Sequence, residues 1–341
     1  MTNTQQFVDK VSHARIPLNV AIEITWRCNL ACAHCYLPGD YRRVPTKIKE
    51  MSLEEICEVI DQVVDEGCIW LSLSGGEPLF RPDFYEIFSY AKRRGLVLMV
   101  STNATLVTPE LADRLSQWSL FVLEVSCYGV TENTYEKTTR VRGSFSRCMD
   151  GIKILRDRGI RLFLRCPIMK TNMHEIQAIQ QFAHEIGAEY SCEPTIYPCL
   201  DGATEPCRLR VSPDEAFALE LQTTSSVRRL TFKQRGKLFH CNAGRLSFRI
   251  DPYSNMVLCS MLRFPCFSVR NKGVAQAWQL MQGLREQASP WHYKCDKCER
   301  LTYCDICPAL SMLEKGNPYS SVEFFCRLAQ LRAEYDSKQS L

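Results

Sequence analysis

The chain has 341 residues, 45% of them apolar and 23% charged, with a net charge of +4, which suits a soluble globular protein with room for one large domain and a smaller one. Its basic residues are scattered among acids, so the charge argues for neither nucleic acid nor a membrane surface as partner. No apolar run reaches the ~18 residues of a membrane span, and the polar stretch from Met1 to Ala14 lacks the apolar segment of an export signal; a cytoplasmic protein is expected.

Residues 1–17 read as an N-terminal extension. From 18 to 197, short runs rich in Val, Ile, Leu and Phe alternate with amphipathic stretches. The runs predict strands over 20–25, 69–74, 96–102, 120–126, 162–168 and 188–193. Ser52 and Glu55 have the spacing of a capping box, and Thr108-Pro109-Glu110 reads as N-cap, N1 proline and early acid. Gly67, Gly95, Gly159 and Gly187 each follow a helical run, where a left-handed residue is wanted. Alternating strands and helices imply parallel βαβ units, either in a partial barrel or in an open doubly wound sheet. In both, ligands bind at the C-terminal ends of the strands. Residues 198–235 form a connector with a helix expected from Asp214. Residues 236–335 hold eight cysteines and only short predicted elements, with too little apolar periodicity for a core of their own; bound metal would supply the missing constraint.

Cysteine is the outlier, with 19 residues. In a long chain without an export signal such density points to metal or cluster ligation rather than disulfides. Directly after the first predicted strand the sequence reads Arg27-Cys28-Asn29-Leu30-Ala31-Cys32-Ala33-His34-Cys35-Tyr36. Three thiolates in C-x3-C-x2-C spacing can hold three irons of a [4Fe–4S] cluster and leave the fourth open; zinc, which usually wants four ligands, is the alternative. In the C-terminal region Cys295-x2-Cys298 and Cys304-x2-Cys307 make a double C-x2-C, flanked by Cys241, Cys259 and Cys326, a strong metal signal. Cys57, Cys68, Cys148 and Cys166 fall in apolar-patterned elements and read as core residues. Cys192, Cys199 and Cys207 are read the same way rather than as ligands.

The cysteine loop, followed one βα unit later by Ser74-Gly75-Gly76-Glu77-Pro78-Leu79, resembles the radical S-adenosylmethionine (SAM) superfamily. The resemblance implies a partial (β/α)6 barrel with a small cysteine-rich, cluster-stabilised C-terminal domain. It implies that Cys28, Cys32 and Cys35 ligate a [4Fe–4S] cluster that binds SAM, and that His34, Gly75, Gly76, Glu77 and Pro78 lie on the SAM side, with the Glu77 carboxylate pairing with the SAM ammonium. Ser101-Thr102-Asn103 resembles the family's ribose-side segment. Ser126-Cys127-Tyr128-Gly129 resembles its Ser-x-Asp-Gly, with Tyr128 where aspartate is usual. Arg165 and Asn172 also fit the pattern. In such an enzyme the reduced cluster splits SAM into methionine and a 5′-deoxyadenosyl radical, which takes hydrogen from the substrate. A thiol at the strand end, Cys127, could return a hydrogen atom.

The C-terminal region resembles the SPASM domain. Ile250 to Cys259 looks like that domain's Ile-Asp-Pro-x-Gly-Asn-Val-x-x-Cys turn, with Ser254 where glycine is usual. By this resemblance Cys295, Cys298, Cys304 and Cys326 hold one auxiliary [4Fe–4S] cluster. Cys241, Cys259 and Cys307 hold another, completed by Cys266 or left with an open iron. The expected substrate is a peptide or protein, in peptide maturation or in the making of a peptide-derived cofactor, with a separate leader-peptide-binding protein and an electron donor such as flavodoxin or ferredoxin as partners. A small molecule such as a tetrapyrrole side chain is the alternative substrate, and a non-catalytic zinc or iron–sulfur binding module is the alternative of another class.

Overall fold

The computed structural model describes residues 3–40, 49–223, 227–230, 233 and 235–339. Six strands, β1 (Asn19–Thr25), β2 (Trp70–Gly75), β3 (Val97–Thr102), β4 (Val122–Ser126), β5 (Leu162–Pro167) and β6 (Glu189–Glu193), fall within two residues of their expected positions. Each runs parallel to the next, in sequence order. A doubly wound sheet would reverse its order at a switch point. None occurs here, so right-handed crossovers place the connecting helices on one face, as in a barrel that has not closed.

The punctuation acts as its chemistry requires. Ser52 and Glu55 form a reciprocal capping box on the helix Leu53–Asp65, and Thr108 caps Pro109–Ser116. Gly67, Gly95, Gly159 and Gly187 all have positive φ. Strand residues of one parity, such as Val20, Ile22, Ile24, Leu123 and Val125, are buried under the helices against Ile56, Ile60, Ile87 and Phe88. The other parity carries Glu23, Ser74, Ser101, Glu124, Ser126 and Arg165, which line the concave face. Among the described residues no helix is long and apolar enough to cross a membrane.

The C-terminal region continues the same sheet. β7 (Ser247–Ile250) lies parallel to β1 on the side away from β2, and β8 (Asn255–Val257) and β9 (Phe267–Ser268) follow antiparallel. Phe248, Ile250, Met256, Val274, Trp278 and Met281 join the main core, and a smaller cluster gathers Ile306, Leu310, Val322, Phe325 and Ala329. The expectation of short elements alone is corrected by two long helices, Val269–Arg285 and Glu323–Gln339. The apolar pattern of the first is broken at Gly273 (φ 73°), where the Val274 amide donates to Gln62 Oε1 at 2.8 Å instead of to its own helix.

The Ile250–Cys259 turn shows why glycine would be at ease where Ser254 stands. Asp251 Oδ1 accepts from the amides of Tyr253 and Asn255, each at 2.9 Å. This winds the chain so tightly that Ser254 takes φ 66°, the left-handed region where glycine is at ease.

Candidate functional site

The cysteine loop leaves the C-terminal end of β1, and its backbone is tied to a helix end. The Ala31 and Ala33 amides donate to the carbonyls of Thr139 (3.0 Å) and Thr138 (2.9 Å), which belong to the last turn of the helix Glu132–Thr139 and have no partner within it. The Leu30 amide donates to Cys28 Sγ at 3.4 Å. From the other side, the Gly76 amide donates to Thr25 O (2.8 Å) and the Glu77 amide to Arg27 O (2.9 Å). The two glycines make this approach possible. A Cβ on Gly75 would sit 2.0 Å from Thr25 O, and one on Gly76 2.4 Å from the carbonyls of Trp26 and Arg27. The tandem glycine thus serves the packing of β2 against the cysteine loop.

Glu77 is fully buried. Oε1 accepts from the Leu79 amide (3.0 Å) and the Thr102 hydroxyl (2.7 Å), and Oε2 from the Asn103 amide (2.7 Å). The carboxylate expected to face an ammonium is engaged here by three protein donors. Burial pushes its pKa up to about 7 despite them. Asn103 carries the chain of contacts onward: its Nδ2 donates to Asn29 Oδ1 (3.0 Å) and approaches Cys28 Sγ (3.9 Å). Pro78 is buried at the start of a short 3-10 turn. His34 lies edge-on to Tyr128 with ring centroids 4.9 Å apart. Where an aspartate would be usual, Tyr128 fills the space with a ring whose hydroxyl meets Ser126 and Cys32; burial first, then the charge of Cys32, drives its pKa well above the ordinary value.

Arg165 bridges two carboxylates on the concave face, Glu124 at 2.8 Å and Glu193 at 2.9 Å. Asn172 is buried and holds the chain after β5, donating to the carbonyls of Pro167 (3.0 Å) and Tyr128 (3.1 Å). Cys127 does not reach the concave face. It is fully buried, in step with Leu123 and Val125 beneath the helices, and donates to Gly129 O at 3.7 Å; this corrects the reading of it as a hydrogen donor to a substrate radical. Cys68, Cys148 and Cys166 are buried as expected, and Cys57 is half-buried. Cys199 comes beside the cysteine loop, its thiol 3.5 Å from the Cys35 carbonyl.

A set of charges on the same face was not foreseen. Glu23, fully buried on β1, accepts from Arg263 at 2.8 and 2.9 Å, from Arg249 of β7 at 3.3 Å and from Trp26 Nε1 at 2.6 Å. Burial alone would raise its pKa, but Arg263, then Arg249, hold it below the usual value. The signal in the sequence is a charge at alternate positions of otherwise apolar strands: Glu23 between Ile22 and Ile24, Arg249 between Phe248 and Ile250.

In the C-terminal region Cys241, Cys259 and Cys307 lie within each other's electrostatic reach, and Cys295, Cys298, Cys304 and Cys326 make a second neighbourhood. Cys266 is exposed and faces Asp251 rather than another thiol. Backbone amides point at several sulfurs: Leu262 at Cys259 (3.3 Å), and Leu310 and Ala309, at a helix start, at Cys307. Amide-to-sulfur donation favours thiolates and tunes clusters bound to them. Burial pushes the Cys304 thiol up to about 11 and Cys307 up to about 12, so ionisation near neutral pH needs a metal to bind. Among the described residues no three Cys, His, Asp or Glu side chains converge on a point able to hold a single ion. A cubane cluster asks for something else, with each thiolate on its own iron.

Comparison with known proteins agrees with this architecture. The Radical SAM superfamily profile matches residues 22–183. The chain is 30% identical over 312 residues to the antilisterial bacteriocin subtilosin biosynthesis protein AlbA of Bacillus subtilis, covering 86% of this chain and 67% of that protein. It is 26% identical over 345 residues to the AdoMet-dependent heme synthase of Nitratidesulfovibrio vulgaris, covering 87% of this chain and 89% of that protein. Its fold is similar to the crystal structure of Streptococcus suis SuiB bound to precursor peptide SuiA, with a TM-score of 0.71 at 16% identity over 93% of this chain and 78% of that one. The superfamily works with a [4Fe–4S] cluster and S-adenosylmethionine. An unclosed parallel sheet with a three-thiol loop at its first strand end, and a relative matched along most of both chains, lead to one conclusion: this chain belongs to the radical SAM superfamily of enzymes.

Proposed function

We propose that the chain cleaves SAM reductively at a [4Fe–4S] cluster held by Cys28, Cys32 and Cys35, and takes hydrogen from a peptide or protein substrate. The observation that carries this is the bonding of the β1 end and the cysteine loop to Gly76 and Glu77 and, through Asn29, to Asn103, which brings the C-terminal ends of β1, β2 and β3 together at the three thiols. When bound there, the cluster supplies the electron that splits SAM into methionine and a 5′-deoxyadenosyl radical. The protein's own part is to position and to keep water out. Gly75 and Gly76 set the backbone beside the loop, and His34, Pro78, Ser126 and Arg165 border the space on the SAM side.

In this reading residues 18–197 form the SAM-cleaving domain and 236–335 the auxiliary domain. Cys295, Cys298, Cys304 and Cys326 hold one auxiliary cluster; Cys241, Cys259 and Cys307 hold another with one iron open, since Cys266 stands apart from them. A peptide substrate is supported by the partly exposed charges of Arg165, Glu124 and Glu193, by lateral access along the unclosed edge at β6, and by the bacteriocin-biosynthesis relative. A flavodoxin or ferredoxin would deliver the electron, and a separate protein would present the peptide's leader. The second reading, a small molecule such as a tetrapyrrole side chain, draws on the heme synthase relative, which is matched over 89% of its length.

The test is iron and sulfide per chain after anaerobic reconstitution, then dithionite-driven formation of 5′-deoxyadenosine. About eight to twelve irons with deoxyadenosine are expected. Zinc in place of iron, with no deoxyadenosine, overturns the proposal in favour of a binding module. Deoxyadenosine formation stimulated by an iron tetrapyrrole but by no peptide moves the assignment to the second reading.

A further inference from the structure

One ammonium stands between the two C-terminal thiol neighbourhoods. Lys233 Nζ donates to the carbonyls of Cys304 (2.5 Å) and Ile306 (2.9 Å). It therefore grips the short turn that leads from Cys304, in one neighbourhood, to Cys307, in the other. Burial disfavours its charge; the acidic groups it faces, which favour that charge once ionised, are in order of influence Cys304, Asp305, Cys307 and Cys295. Asp305 is already committed to Arg332 at 2.7 Å and Arg228 at 3.6 Å. Among the described residues Lys233 has no carboxylate partner of its own. A half-buried cation held by two carbonyls, beside thiols and a carboxylate already shared with two arginines, is costly to keep in place unless more negative charge arrives beside it.

We infer that Lys233 is a positioning and tuning residue for the auxiliary clusters, its charge favouring their reduction and its hydrogen bonds fixing the turn that joins their ligands. The inference rests on the proposed assignment of Cys295, Cys298, Cys304 and Cys326, and of Cys241, Cys259 and Cys307, as cluster ligands. One-electron reduction adds one negative charge to a cluster, and a fixed cation in a poorly solvated site stabilises the product more than the reactant. The Arg332–Asp305 pair is neutral as a unit and does not do this. Nor does Arg285, which donates to the Cys241 carbonyl at 3.0 Å, touch both ligand sets.

The test uses the reconstituted full-length enzyme, wild type beside Lys233→Gln, Lys233→Met and Lys233→Arg, titrated with dithionite and followed by electron paramagnetic resonance. Lys233→Gln keeps a donor for the carbonyls and loses the charge. The expected result is full iron content in Lys233→Gln, auxiliary midpoints shifted to more negative potential, a wild-type position in Lys233→Arg, and an unmoved SAM-binding cluster. Full iron with unmoved auxiliary midpoints in the neutral variants overturns the inference. So does loss of auxiliary iron in both neutral variants with retention in Lys233→Arg, which would make the residue structural only. Wild-type enzyme without auxiliary iron overturns the ligand assignment itself, a result distinguishable from either.

Discussion

Glu23 and Arg263 are 240 residues apart in sequence and meet in a bidentate ion pair of 2.8 and 2.9 Å. The carboxylate is on the strand that launches the cysteine loop; the guanidinium follows Cys259. Arg263 also donates to Ser260 O at 2.8 Å and lies over the Trp26 ring at 5.5 Å, so the pair clamps the C-terminal region onto β1. Removing Arg263 leaves the buried Glu23 carboxylate only Arg249 at 3.3 Å and the Trp26 indole to offset its charge. Arg263→Ala is expected to lose about 3–5 kcal/mol of stability in denaturant unfolding, and Glu23→Met with Arg263→Met together to lose less than Arg263→Ala alone. Equal stability of Arg263→Ala and wild type would show the pair to be inert.

The tandem glycine gives a sharper contrast. Gly75→Ala or Gly76→Ala must displace the backbone of residues 25–27, because the new methyl would lie within 2.4 Å of a carbonyl oxygen. Both variants should fail to hold iron at the first cluster or fail to fold. Gly159→Ala meets nothing within 4 Å and has only its φ of 69° to overcome, so its loss should stay near 1 kcal/mol. Iron content and melting temperature of the three variants check the ordering.

Ser254 points the other way. Its φ of 66° and its buried hydroxyl without a hydrogen-bond partner both work against the folded state. Ser254→Gly should stabilise the protein by roughly 1 kcal/mol, read as a higher denaturation midpoint. A lower midpoint would mean that the entropy glycine adds to the unfolded chain outweighs both gains.

Glu77 makes stability depend on pH in an unusual direction. The folded chain keeps the proton up to about 7, whereas the ordinary value is 4.5. Between these values the folded state binds more protons than the unfolded one, so stability falls as pH rises. The contribution is complete below about 4.5 and lost by about 7, a change of roughly 3 kcal/mol. Unfolding of cluster-free protein across this window should show the decline, and Glu77→Gln should remove it. Parallel pH profiles for the two proteins would refute the assignment.

Replacement of Cys28, Cys32 or Cys35 by alanine should abolish deoxyadenosine formation and lower iron by about four per chain, leaving auxiliary iron in place. SAM cleavage retained in all three variants would sink the assignment of the first cluster.

The parts of this architecture that depend on neighbours in sequence were legible in advance. Apolar runs located β1 to β6, and glycines such as Gly67 and Gly159 marked helix ends, because backbone conformation there is a local matter. The cysteine loop and Gly75-Gly76-Glu77 were legible as chemistry. The reason for the glycines was not: the carbonyls of Thr25 and Arg27 that exclude a side chain there come from another strand. Glu23, Arg249 and Arg263 were missed for the same reason, since an ion pair between β1 and a distant turn leaves only a misplaced charge in the pattern. The pairing of β7 with β1 is register across more than 200 residues, which periodicity does not encode.

That pairing bears on how such enzymes can be taken apart. β1 hydrogen-bonds to β2 on one side and to β7 on the other, from Asn19 and Ser247 to Ile22 and Ile250. The cysteine-rich region is therefore a sheet neighbour of the strand that bears the first thiol loop. A truncated chain ending before β7 would present β1 as a bare edge, open to pairing with other copies, and a graft of this region from a relative would have to match the ladder of β1 as well as the cysteines.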